Sequence, residues 1–71
     1  MKRKVGIIGL GLLGGSLAKG LAKYTDYEVI GYARRPEICE AALVDKVVAR
    51  AYTDPKQVVA EADILVFALT A

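Results

Sequence analysis

The chain has no histidine and no tryptophan, a single cysteine, Cys39, and only two prolines among its 71 residues. Each scarcity removes a kind of chemistry. A lone cysteine cannot close an internal disulfide, and without histidine the Cys/His clusters of common zinc sites cannot be assembled. Such usage fits a reducing compartment, so the expectation is a soluble cytoplasmic protein with no metal site. Lys2-Arg3-Lys4 followed by "VGIIGLGLLGG" has the outline of a signal peptide, but Gly6, Gly9, Gly11, Gly14 and Gly15 interrupt its apolar part and no small-residue cleavage site follows. No segment is long and apolar enough to span a bilayer. Charge of one sign is also scarce: ten basic residues against eight acidic leave a formal +2, too little for a nucleic-acid platform.

What is present is apolar. Hydrophobic residues make up 55% and charged residues 25%, the composition of a globular chain. A core of this size is marginal without a disulfide, metal or partner, so the chain is expected to be part of something larger. "KVGIIG", Lys4 to Gly9, is a short branched run ended by glycine, which suits a strand buried on both faces. From Leu12 the period changes: Leu13, Leu17 and Leu21 recur every four residues beside Gly14 and Ala18, predicting an amphipathic helix that stops near Tyr24. "EVIGY" reads as a second buried strand.

Pro36 and Glu37 open a second helix, since proline is tolerated in a first turn and an acid suits the positive end of the dipole. Its apolar stripe is expected from Ile38, Ala41, Ala42 and Val44 or Leu43. No glycine ends it, so Asp45 or Lys46 must take the left-handed position. "KVVARAY" reads as a short third strand. A third helix follows, with Asp54 as N-cap, Pro55 at N1 and Gln57 placed to close a capping box. "ILVFAL", Ile64 to Leu69, closes as another fully buried strand. Strands alternating with helices imply right-handed crossovers and a parallel sheet with helices on both faces. Were "ILVFAL" to lie beside the first strand, it would be an uncovered apolar edge, calling for more chain after Ala71 or another molecule to cover it.

Gly9, Gly11 and Gly14 form "GLGLLG", a G-x-G-x-x-G set where a strand hands over to a helix. Gly9 would allow the tight turn, Gly11 would let a phosphate approach the backbone, and Gly14 would let helix and strand pack closely. The amides of Leu12 and Leu13 would then point with the helix dipole at a pyrophosphate. A turn that is merely glycine-rich has no need of this spacing. Ser16 is read as a small packing residue as readily as a phosphate donor, and Gly20, in the helix interior, as a site of close packing.

The second strand runs into "ARRPE". In NAD-binding versions of this fold an acid at that strand's end accepts bonds from the ribose hydroxyls and repels a 2′-phosphate. Here the position falls at Ala33. With the acid gone, Arg34 and Arg35 can give charge-assisted bonds to a phosphate, so the expected cofactor is NADP rather than NAD. Reading both arginines as a solvated turn leaves the missing acid unexplained. Ala68, Leu69 and Thr70, at the carboxyl end of the last strand, are expected to touch cofactor. Cys39 is read as a buried inert thiol, Asp63 as a cap or turn residue, and the tyrosines as rim or packing residues.

The segments "VGIIGLGLLGGSLAKGL", "GYARRPE" and "ADILVFAL" together resemble the amino-terminal region of the prephenate and arogenate dehydrogenases, over essentially the whole chain. The doubled glycine and serine of "GLGLLGGSLA" are the most specific part. The resemblance implies a Rossmann-type dinucleotide-binding domain, of which residues 1–71 are the N-terminal part. It also implies oxidative decarboxylation of prephenate or arogenate in tyrosine biosynthesis, with a catalytic histidine, substrate-binding arginines and a helical dimerisation domain outside this stretch. No catalytic residue is therefore carried over, and these residues alone are expected to bind dinucleotide without turnover. Three positions depart from the family pattern: Ala33 replaces the acid, Thr70 stands where many relatives have proline, and Lys46 where a glycine often ends the second helix. Two other readings stay open. One is an NADP-dependent imine or 3-hydroxyacid reductase; the other is a non-catalytic nucleotide-sensing module, against which the arginine pair argues.

Overall fold

The structure, a computed structural model, describes residues 3–68 apart from the side chains of Leu12 and Leu13. Strands β1 (Lys4–Ile8), β2 (Glu28–Tyr32), β3 (Arg50–Tyr52) and β4 (Ile64–Phe67) alternate with helices α1 (Leu12–Tyr24), α2 (Pro36–Val44) and α3 (Pro55–Glu61). All neighbouring strands are parallel, in the order β3-β2-β1-β4. This is the expected Rossmann-type sheet.

The two-residue period of the strands decides what each helix covers. Val5 and Ile7 of β1 and Val29 of β2 share one buried cluster with Ala18 of α1 and Cys39 of α2. Ile8 and Ile30 turn to the opposite face and meet Val58 of α3. Helices thus lie on both faces, and full burial of side chains such as Ile7, Ile30 and Val58 contributes roughly 1.5–3 kcal/mol each. The approach of α3 is close: a Cβ built on Gly6 would stand 2.6 Å from Val58 Cγ1 and 2.8 Å from Ala62 Cβ.

Helix ends follow their local chemistry. Asp54 caps α3 by accepting the Lys56 amide at 3.0 Å, with Pro55 at N1. No described bond closes the capping box from the Gln57 side chain; the Gln57 amide instead bonds the Asp54 carbonyl at 3.2 Å. At the end of α2, Lys46 takes the left-handed position with φ 56°. Its amide bonds the Leu43 carbonyl and the Val47 amide bonds the Ala42 carbonyl, which is a Schellman closure built without glycine.

Several expectations about burial are corrected. On α1 the sheet-facing line is Gly14, Ala18 and Leu21, whereas Leu17 is exposed: small residues let the helix lie too near the sheet for a leucine at every fourth place. On α2 the buried side chain is Cys39, flanked by Ile38 and Ala42, and Ala41, Leu43 and Val44 face out. Among the described residues, its own helix turn aside, nothing lies within 4 Å of a Cβ built on Gly20, so close packing does not explain that glycine. The third strand is shorter than its apolar run, covering Arg50–Tyr52 only. β4 is not fully buried, since it pairs with β1 on one side only; Phe67 is 65% exposed and Ile64 and Leu65 are partly so.

A polar network ties α3 to the amino ends of the strands. Glu61, the last residue of α3, accepts a bond from Tyr52 Oη at 2.7 Å, pairs with Arg50, and has Lys4 Nζ at 3.7 Å; Arg50 also reaches Glu28 at 3.0 Å. The Tyr52 hydroxyl and the Arg50 guanidinium hold the Glu61 carboxyl below its ordinary range. The same Glu61 bond raises the Tyr52 hydroxyl, and Glu61 with Glu28 keeps Arg50 firmly protonated. Asp63 closes the sheet beside this network, accepting the Lys4 amide on its carboxylate and giving its own amide to the Lys4 carbonyl, both at 2.8 Å.

Candidate functional site

The carboxyl ends of β1, β2 and β4 meet at one edge of the sheet. Ile8 is in register with Tyr32 and with Phe67, so the residues that follow each strand emerge side by side. From β1 comes the glycine loop, from β2 Ala33-Arg34-Arg35, and from β4 Ala68.

The loop is held by its backbone. Gly9 has φ 106°, a value L side chains rarely adopt, and this turns the chain out of β1. The Gly9 and Leu10 amides both donate to the Tyr32 carbonyl at 3.0 Å, which fastens the loop to the end of β2. Leu10 is buried, with its branched end against Gly31. A Cβ built on Gly14 would overlap the Gly9 carbonyl oxygen and stand 3.4 Å from Ala68 Cβ, so α1, loop and β4 crowd at that glycine. Gly11 is the opposite case. Among the described residues, chain neighbours aside, no atom lies within 4 Å of a Cβ built there, although its backbone (φ −84°, ψ −155°) would accept a side chain. The space beside Gly11 is open.

α1 begins immediately after Gly11 and no described side chain caps it. The first intrahelical bond there runs from the Gly15 amide to the Gly11 carbonyl at 2.8 Å, so the amides of Leu12, Leu13 and Gly14 lie before it in the turn. Such amides, with the positive end of the helix dipole behind them, suit an anion.

Residues 4–71 match the family described as the NAD binding domain of 6-phosphogluconate dehydrogenase. The chain belongs to that family. Two solved structures share the fold of this NAD-binding domain. Prephenate dehydrogenase from A. aeolicus, in complex with hydroxyphenyl propionate and NAD+, superposes with a TM-score of 0.83 at 26% identity, over 94% of this chain and 24% of that one. Synechocystis arogenate dehydrogenase gives a TM-score of 0.82 at 34% identity, over 90% of this chain and 22% of that one. The domain thus spans 24% and 22% of the lengths of these relatives, in their N-terminal part, and the resemblance carried by its motifs is a structural one as well. No curated protein matches it in sequence.

The remaining residues of the NAD-binding domain fit a dinucleotide. Ala33 is only 3% exposed; its amide donates to the Tyr52 carbonyl at 3.1 Å, and it packs in the cluster that contains Leu10 and Cys39. Arg34 and Arg35 follow it into solvent, and among the described residues neither makes an ion pair. Arg35 is also the N-cap residue of α2, with no side-chain cap. Ser16 is exposed on α1. Leu69 and Thr70 lie outside the described residues. Among the described residues no helix is long and apolar enough to cross a membrane, and no cluster of His, Cys, Asp or Glu is placed to hold a metal. A cavity of about 450 Å³, bordered by Tyr27, Val29 and Lys46, lies by the amino end of β2 and contains none of the site residues.

Two features of the site were not legible as motifs. Leu10 occupies a variable place in the fingerprint yet is buried, and Gly31 reads as one more small residue in a strand. Only their juxtaposition shows why each is there.

Proposed function

We propose that this domain holds the cofactor in a prephenate or arogenate dehydrogenase, an enzyme of oxidative decarboxylation in tyrosine biosynthesis, and that the cofactor is NADP. The observation that carries the reading is the contrast within the loop: space beside Gly11 is open while that beside Gly14 is filled by the Gly9 carbonyl. A loop shaped only by packing has no reason to leave a Cβ-sized opening at the N-cap of a helix that no described side chain caps.

The amides of Leu12 and Leu13 hold the diphosphate, and Gly9, Gly11 and Gly14 set the backbone that presents them. Arg34 and Arg35 receive the 2′-phosphate, and Ala33 places no carboxylate there to repel it. Ala68, with Leu69 and Thr70 after it, borders the cofactor on the β4 side. When bound, the nicotinamide supplies a hydride acceptor; these residues bind and orient it. No residue here is assigned a proton-transfer role, and the 71 residues alone are expected to bind without turnover. Substrate binding and homodimer formation are assigned to a further region of the protein, outside residues 1–71.

The A. aeolicus relative carries NAD+, which favours NAD and makes cofactor choice the point to test. NADP+ and NAD+ are titrated into the wild-type chain and an Arg34→Ala, Arg35→Ala double variant. Each charged hydrogen bond to a phosphate is worth about 1.5–3 kcal/mol, so NADP+ affinity should fall roughly a hundredfold or more while NAD+ is little changed. Equal loss for both cofactors would assign the arginines to the fold. Tighter NAD+ than NADP+ binding by the wild type would refute the NADP reading, and turnover of prephenate by this chain alone would refute its inactivity.

A further inference from the structure

We propose that Gly31 is a positioning residue for the diphosphate cradle: lacking a Cβ, it seats Leu10 on β2 and so fixes the glycine loop against the strand that delivers Arg34 and Arg35. The inference rests on the dinucleotide reading above, and it concerns a residue too deep to touch the cofactor.

Gly31 lies inside β2, in register with Ile7, where a glycine weakens a strand unless something needs its space. Conformation does not require it, because Gly9 is the positive-φ glycine of the described residues and Gly31 is ordinary extended chain. Space does. A Cβ on Gly31 would stand 2.5 Å from Leu10 Cδ1 and 2.7 Å from both Cδ2 and Cγ, so the whole branched end of Leu10 sits where that carbon would be. Leu10 is itself 4% exposed, within the cluster that contains Ala18, Val29 and Ala33, and has no free direction in which to swing.

The main chain repeats the attachment one residue further on. Gly9 and Leu10 both give their amides to the carbonyl of Tyr32 at 3.0 Å. The loop is therefore anchored by a side chain on Gly31 and by two hydrogen bonds on Tyr32, directly before Ala33, Arg34 and Arg35. The two anchors set the spacing between the amides that face a diphosphate and the guanidinium groups that face the adenosine end. A methyl group at position 31 would lift Leu10, stretch the bonds to Tyr32 and displace the amides of Leu12 and Leu13 with the loop.

The test compares the wild-type chain with Gly31→Ala and with Leu10→Ala/Gly31→Ala, in which the branched end of residue 10 that the added methyl would meet is removed. NADP+ and NAD+ affinities are measured by calorimetry, with amide hydrogen exchange at Gly9 and Leu10 as a readout that needs no ligand. Gly31→Ala should weaken both cofactors by a similar factor, about ten- to a hundredfold, as expected when a charged hydrogen bond is misplaced. Gly9 and Leu10 should exchange faster while the β1–β2 amides keep their protection. The compensated variant should return to within about twofold of wild type.

Wild-type affinity in a folded Gly31→Ala protein overturns the inference. So does a folded compensated variant that still binds weakly, and this second protein decides the matter if Gly31→Ala alone does not fold. A wild-type chain that binds neither cofactor sinks the functional reading instead. In that case unchanged exchange at Gly9 and Leu10 in a folded Gly31→Ala protein overturns the lock, as does a compensated variant that exchanges faster than wild type, and faster exchange in Gly31→Ala reversed in the compensated variant supports it.

Discussion

The same substitution at two glycines of one loop should have opposite consequences. At Gly14 an alanine methyl would overlap the Gly9 carbonyl oxygen and lie 3.0 Å from the Gly9 carbonyl carbon. Both are backbone atoms of a residue already at φ 106°, so relief requires moving either the turn or α1. Overpacking of this kind costs about 1–3 kcal/mol, which in a domain of this size lowers Tm by roughly 4–20 °C. At Gly11 the methyl meets no described residue within 4 Å beyond its chain neighbours, on an accessible backbone, so stability should change by less than about 1 kcal/mol. Its effect falls on the ligand. A methyl in front of the Leu12 and Leu13 amides forces the diphosphate away, and loss of two charged hydrogen bonds at about 1.5–3 kcal/mol each corresponds to a hundredfold or greater loss of affinity. Thermal melts followed by circular dichroism give the first quantity and calorimetric titration of NADP+ and NAD+ the second. A Gly11→Ala protein that melts like wild type and binds as tightly would refute the cradle argument outright.

Lys46→Gly should raise stability by about 0.5–1 kcal/mol, because Lys46 holds a left-handed conformation at φ 56° that glycine adopts freely; a fall in Tm would contradict the Schellman reading. Gly20→Ala should also stabilise, by about 0.5–1 kcal/mol, since outside its own helix turn no described residue lies within 4 Å of the added methyl; chemical denaturation checks this. Acid should act through Glu61. Bonds from Tyr52 and Arg50 depress its pKa in the folded chain, so the folded state binds that proton less readily than the unfolded one. The contribution is present above the ordinary value of 4.5 and is lost as pH falls through the lower folded value. Glu61→Gln should flatten the acid limb of the stability profile, and an unaltered limb would assign acid sensitivity elsewhere.

The order of elements was legible because each signal is local. Short branched runs (the first ended by Gly9), Pro36 and Pro55 at first turns, and Asp54 as a cap act within a few residues, and β1, β2, α1, α2 and α3 lie where those signals put them. The glycine spacing was legible for the same reason, since G-x-G-x-x-G is a statement about one turn. Local signals misled wherever burial depends on what lies alongside. Leu17 keeps the helical period yet faces out, because Gly14 and Ala18 already fill the gap between α1 and the sheet. "ILVF" has the composition of a buried strand, but with β1 on one side only Phe67 is left exposed.

The alternation of strand and helix, the turn at Gly9 and the cations that follow β2 were written in the chain, because they depend on the conformational freedom and charge of residues taken a few at a time. Only the packed fold shows that Gly14 is crowded while Gly11 is not, that Leu10 rests on Gly31, and that Glu61 gathers Lys4, Arg50 and Tyr52. The last two are contacts between residues 9 to 57 positions apart in the chain, and only the parallel register of the sheet brings them together.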